Sequence, residues 1–166
     1  MKKRNILIII VIVIILLIAG ISILYSTDIA DSKVNIDLGS ISASNITIDN
    51  ASAGKEVNYK AEIEIDMSKC NNTTEAKNLL KSLSKDNTTF DSGSLGIRLN
   101  DGSQMLEFKK EDIKLISIDD NTLIISISGS TTFDKDINFE NSTISFLELK
   151  FKEKSTFNSH WTYLKT

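Results

Sequence analysis

The chain has 166 residues, with 19 Lys+Arg against 22 Asp+Glu, one His, one Cys, no Pro and a formal net charge of −3. Without Lys2, Lys3 and Arg4 the remainder carries 16 cations against the same 22 acids, a net −6, which excludes nucleic acid and anionic membrane surfaces as partners. A single cysteine excludes a disulfide framework within the chain, so the fold must be held by burial.

Ile6 to Leu24 carries no charge and follows directly on Met1-Lys2-Lys3-Arg4-Asn5. At about 1.5 Å of rise per residue such a helix covers about 28 Å, close to the roughly 30 Å hydrocarbon core of a bilayer. A cleavable leader also starts with cations, but its apolar region runs about 7–15 residues to an A-x-A-like site. Here Ile6 to Ile18 is all Ile, Leu or Val, the apolar character continues to Leu24, and Ala30 has Asp28 two positions before it. The pattern therefore predicts a retained membrane anchor, with membrane lipid as the partner of residues 6–25. Ile21 stands where a lipoprotein would need its cysteine, and no Glu occurs before Glu56 to make a type IV pilin start. Lys2, Lys3 and Arg4 keep the N-terminus cytoplasmic, since the next cation is Lys33. The expected layout is a cytoplasmic tail at 1–5, the anchor at 6–25, a polar stalk at 26–33 and an extracytoplasmic β-rich domain at 34–166. The protein is then a single-pass protein of the cell membrane with its C-terminal domain outside. That outer part is long enough for one domain with a sizeable core and too short for two.

Beyond the stalk, Val34, Ile36 and Leu38, then Ile46 and Ile48, give a weak β signal. From Val57 to Ser68 the alternation is complete: Val57, Tyr59, Ala61, Ile63, Ile65 and Met67 interleave with Asn58, Lys60, Glu62, Glu64, Asp66 and Ser68. Period two over that length means one face on a core and one in water, the pattern of an antiparallel sheet. One amphipathic helix is expected at about 72–85. Asn72 and Glu75 have capping-box spacing, each side chain satisfying the other's backbone N–H, and Ala76, Leu79, Leu80 and Leu83 form one stripe. Strands resume with Leu95, Ile97 and Leu99, an Asp101-Gly102 hairpin, and Met105 to Lys109. A second hairpin joins Ile113–Ile118 to Thr122–Ser128 through Asp119-Asp120-Asn121. A further strand is expected to place Phe133, Ile137 and Phe139 on one side. Ile144 to Lys152 changes phase between Phe146 and Leu147, the signature of a β-bulge. Phe157, Trp161 and Tyr163 close the chain with an aromatic-bearing face.

Candidate chemistry is sparse. N-x-Ser/Thr sequons at Asn45, Asn50, Asn71, Asn87 and Asn141 are possible glycosylation sites, with Asn72 a poorer acceptor because it caps the helix. Asp134-x-Asp136-x-Asn138 opens like a calcium loop but has Phe139 for the glycine and Ser145 for the bidentate Glu, and Asp101, Asp119 and Asp120 are weaker candidates still. Solvated strand acids explain all of these, so no metal is expected. His160 is the only histidine and has no zinc-spaced companion. Ser52/Lys55 and Ser82/Lys85 match S-x-x-K at the frequency composition predicts, without the accompanying S-D-N and K-T-G elements. Glu62 and Glu64 sit at a glycosidase-compatible separation on one strand face, with nothing expected to bury them. Cys70 reads as a small apolar group. No catalytic residue and no cofactor are therefore expected.

Lys33 to Met67 resembles the opening strands of the LEA-14-like (water-stress) sandwiches, which also sit behind membrane anchors. The Asn-Pro-Asn element of that family falls near Met67 to Asn71, where Met67-Ser68-Lys69-Cys70 stands instead, so no family is assigned. The sequence reading is a mainly β protein, all-β to α+β: a transmembrane helix, then an antiparallel β-sandwich-like domain with one short helix. Its expected function is non-catalytic, binding or structural, toward a protein or envelope polymer at the cell surface. The alternatives are an envelope hydrolase using carboxylates that meet only in the fold, or an accessory subunit of a membrane transport or secretion complex.

Overall fold

The computed structural model describes residues 33–85, 89–154 and 159–166. The expected tail and anchor and all of the expected stalk but Lys33 lie outside the described residues, Lys33 itself opens the first strand, and among the described residues no helix is long and apolar enough to cross a membrane. In chain order the elements are β1 (Lys33–Asp37), β2 (Ser40–Ile48), β3 (Glu56–Asp66), helix α1 (Thr73–Ser82), β4 (Phe90–Leu99) and β5 (Gly102–Phe108). A 3-10 turn (Lys110–Asp112) precedes β6 (Ile113–Ile118), β7 (Thr122–Thr132), β8 (Thr143–Lys154) and β9 (Ser159–Lys165). The protein is mainly β with one α-helix among the described residues.

The strands form two sheets, ordered β1-β9-β8-β4-β5 and β2-β3-β7-β6. β3 shows why. Its Val57, Tyr59, Ala61, Ile63 and Ile65 are all buried while Asn58, Lys60 and Glu62 face water, as the alternation requires. Paired antiparallel on both sides, with β2 and β7, it is a central strand of its sheet. Ile63 and Ile125 from this sheet join Leu95, Leu149 and Phe151 from the other in one buried cluster, so the two sheets share a core. Among the described residues one side chain of the polar or charged class is fully buried, that of Thr162 on β9, and its hydroxyl has no hydrogen-bond partner there. An unsatisfied buried hydroxyl costs about 1–3 kcal/mol. Thr162→Val keeps the β-branched shape and removes that group, so we expect it to stabilise the fold by about 1 kcal/mol, seen as a higher midpoint in urea melts.

Several sequence expectations change in detail. The sheets are antiparallel except at one edge, where β1 runs parallel to β9 from Lys33↔Trp161 to Asp37↔Lys165. The helix ends at Ser82, three residues early, because the N–H groups of Leu83, Ser84 and Lys85 donate to carbonyls three residues back and tighten the last turn. At its start the Asn72 carboxamide oxygen accepts from the Glu75 N–H at 3.2 Å, but Glu75 returns the bond to the Asn72 side-chain amide at 2.7 Å and not to the backbone. Ala76, Leu79, Leu80 and Leu83 are buried, as the stripe predicts. The first hairpin turns at Asn100-Asp101, leaving Gly102 to open β5 opposite Leu99. The second turns at Asp119–Asn121: the Asp119 carboxylate accepts from the Thr122 N–H at 2.7 Å and the Asn121 N–H at 2.9 Å, which holds its pKa below the ordinary 3.8.

The strand expected around Phe133 to Phe139 is not one. Phe133, Ile137 and Phe139 are buried and Asp134, Asp136 and Asn138 exposed, but the backbone makes a single bridge, Ala51↔Ile137. Side chains satisfy its neighbours instead: Asn50 Oδ1 accepts from the Phe139 N–H at 2.9 Å, and Asp136 Oδ1 from the Ala53 N–H at 2.8 Å. The β8 bulge is real and lies at Ser145, the residue skipped where Ile97 pairs with Ile144 and Gly96 with Phe146.

The crossing from one sheet to the other between β1 and β2 takes only Leu38 and Gly39. Leu38 is fully buried and its N–H donates to the Lys165 carbonyl, while the Gly39 N–H donates to Asp37 Oδ1 at 3.0 Å. Gly39 has φ +107°, and a Cβ there would sit far inside contact distance of the Asp66 carbonyl oxygen. Both facts demand glycine.

Candidate functional site

The strand register of the five-stranded sheet fixes which side chains share its outer face. Five rows cross it: Lys152–Trp161–Lys33; Ser92–Lys150–Tyr163–Asn35; Glu107–Ser94–Glu148–Lys165–Asp37; Met105–Gly96–Phe146; and Ser103–Arg98–Thr143. Adjacent members of a row have Cβ atoms about 4.5–5.5 Å apart, so each row is a chain of direct neighbours. β4, in the middle, contributes only small groups along its central stretch, Ser92, Ser94 and Gly96, between Asp91 at one end and Arg98 at the other. Its neighbours β5 and β8 contribute long ones, Met105 and Glu107 on one side, Glu148 and Lys150 on the other. Short side chains between long ones leave a trough along β4, of about 370 Å³, at the small end of the range for ligand sites.

The trough is closed at one end. Just beyond Ser94 the Phe146 ring lies across Gly96, where a Cβ would stand far inside contact distance of two ring carbons, and Phe146 remains 37% exposed. At the other end Lys150 stands 3.7 Å from the Asp91 carboxylate and 4.3 Å from the Trp161 ring centroid, with Tyr163 at 5.7 Å. Lys152 lies 5.0 Å from Trp161, and Lys33 lies 5.9 Å from Tyr163. The Lys165 ammonium meets Glu148 at 3.0 Å, and the Ser94 hydroxyl donates to the other Glu148 oxygen at 3.5 Å. Each such surface contact contributes at most about 1 kcal/mol, but together they fix long side chains as walls.

The residues singled out from sequence are scattered by the fold. Glu62 and Glu64 project from the outer face of β3 in the other sheet, with Lys60 3.2 Å from Glu62. Ser52 and Lys55 belong to a turn closed by the Lys55 N–H on the Ser52 carbonyl, and the Ser82 hydroxyl donates to the Leu79 carbonyl within α1. Asn45 is exposed on β2. Asn50 and Asn71 use their carboxamide oxygens as acceptors for the backbones of Phe139 and Asp37, and Asn141 occupies a turn at φ +59°. Asn87 and Phe157 lie outside the described residues, as does the side chain of His160. Cys70 is half-buried against the core. A small cavity of about 80 Å³ brings Asp101 to Asp136 and Asn138, with Lys135 also on its wall. No group of three or more metal-holding side chains occurs among the described residues.

The trough itself was missed in sequence. Its signal is the run of small residues at alternate positions, Ser92, Ser94 and Gly96, which has no meaning until the strands beside β4 are known. The chain matches no protein-family model, no curated protein and no solved structure.

Proposed function

We propose that this is a single-pass membrane protein, anchored through residues 6–25, whose sandwich-like β domain acts outside the cell as a binding module and not as a catalyst. The anchor and its orientation are supported by the apolar run and the basic N-terminus. The binding reading is carried by the trough along β4, a concave site with polar floor and partly apolar walls on a sheet face that needs neither for folding. A membrane-impermeant amine reagent applied to intact cells tests the location. Lys55 and Lys60, on exposed turn and strand positions, should be modified before lysis; modification seen only after lysis would place the domain in the cytoplasm and remove the reading.

One observation favours an envelope hydrolase as a second reading. Glu107 and Glu148 flank Ser94 two strand spacings apart, roughly 9.5 Å, the upper end of the separation used by inverting glycosidases. Glu148 is bound to Lys165 and Ser94, and Glu107 is exposed, so neither has the apolar enclosure a general acid needs. Release of reducing sugar from envelope polysaccharide, abolished by Glu148→Gln, would establish this reading, and its absence would dismiss it.

A further inference from the structure

We infer that the trough along β4 binds the end of a neutral glycan chain; this rests on the binding reading above and names its ligand class. Three features select such a ligand. Lys150 is paired with Asp91 and Lys165 with Glu148, and the lining adds the Glu107 carboxylate, so the trough has no net positive field to draw in a polyanion. The floor and walls nonetheless offer many hydrogen-bonding groups: the Ser92 and Ser94 hydroxyls, the Glu107 and Glu148 carboxylates and the Lys150 ammonium. Interleaved with them are the Met105 thioether, 56% exposed, and the Tyr163 ring. Sugar rings present that combination, hydroxyls around the rim and C–H groups on the faces. A lipid would need a continuous apolar patch, and a nucleic acid a net positive one.

Shape adds the chain end. From Ser92 to Ser94 the open floor runs about 7 Å, and the strands that carry its walls, β5 and β8, stand roughly 9.5 Å apart. That admits the terminal sugar ring of a chain lying along the strand. The Phe146 ring across Gly96 stops it, so the ligand ends there and its chain leaves past Ser92 and Lys150.

The test uses the full chain in detergent micelles and three neutral probes, N-acetylchitotriose, cellotriose and maltotriose. Binding is read by titration calorimetry and by fluorescence of Trp161, the single tryptophan, which shares Lys150 with the trough. At least one probe should bind with a Kd at or below about 1 mM. Ser94→Leu, which fills the floor from the solvent side, should weaken it at least tenfold, or about 1.4 kcal/mol. Should that variant unfold, Met105→Ser lowers a wall at an exposed position and should also weaken binding. Phe146→Ala should open the closed end and improve binding of the corresponding hexaose relative to the triose, whereas Glu62→Gln on the other sheet should change nothing. Failure of all three probes at about 10 mM, tighter binding of polyphosphate than of any sugar, or binding that survives Ser94→Leu in a folded protein would each overturn the assignment. The lysine-labelling result is independent of ligand: external labelling without sugar binding removes the glycan and keeps the surface location, and sugar binding with internal labelling does the reverse.

Discussion

Gly39→Ala should destabilise the domain by about 3–5 kcal/mol, enough to leave little folded protein if total stability is on the order of 5–15 kcal/mol. Two costs add. An L-residue at φ +107° is strained wherever it stands, and the new methyl would drive into the Asp66 carbonyl oxygen, which is backbone and cannot swing aside. That carbonyl ends β3, where the Met67 N–H donates to the Asn121 carbonyl and the Ser68 N–H to the Asp66 carboxylate, so moving it disturbs the end of the four-stranded sheet. Gly54→Ala provides the comparison: φ is +68° but nothing lies within 4 Å of the new Cβ, so only the left-handed backbone is charged against it, about 1 kcal/mol. Urea melts of a soluble fragment beginning at Tyr25 would separate the two. Equal small losses would show that the β1–β2 corner yields, and the account of Gly39 would be wrong.

Ile63→Ala should cost about 2–5 kcal/mol, and Glu64→Ala, one residue on, no more than about 0.5 kcal/mol. Ile63 is fully buried in the middle of β3, opposite Ser44 on one side and Ile125 on the other, so truncation opens a cavity that strands paired on both sides cannot collapse to fill. Glu64 points to the outer face of the same strand. The same melts read both changes; matching small shifts would mean that β3 does not divide core from solvent.

The alternation of β3 was legible because burial on one face writes itself into every second residue. The stretch from Phe133 to Phe139 was misread for the same reason. A segment anchored by three buried side chains alternates whether or not its backbone pairs, and here Asn50 and Asp136 supply the bonds a ladder would have made. The capping pair and both hairpins were visible because they are local. The parallel match of β1 to β9 was not, since it joins Lys33 to Trp161 across nearly the whole described chain and nothing in either strand alone marks its direction relative to the other. The trough belongs with these non-local features: Ser92 and Ser94 are ordinary solvent-facing residues until Glu107 and Glu148 are set on either side of them.

The β1–β9 pairing also governs how the domain bears tension. The two strands run the same way, so a pull on the chain ahead of Lys33, resisted at Thr166, draws them along each other's length. Such a pull loads all five paired residues together in shear, where an antiparallel edge tugged from its open end would peel one residue at a time. Leu38, buried at the downstream end of β1 and bonded to Lys165, acts as the stop against which that sliding must work. A domain built in this way can hold a load applied ahead of Lys33 without unravelling from that end.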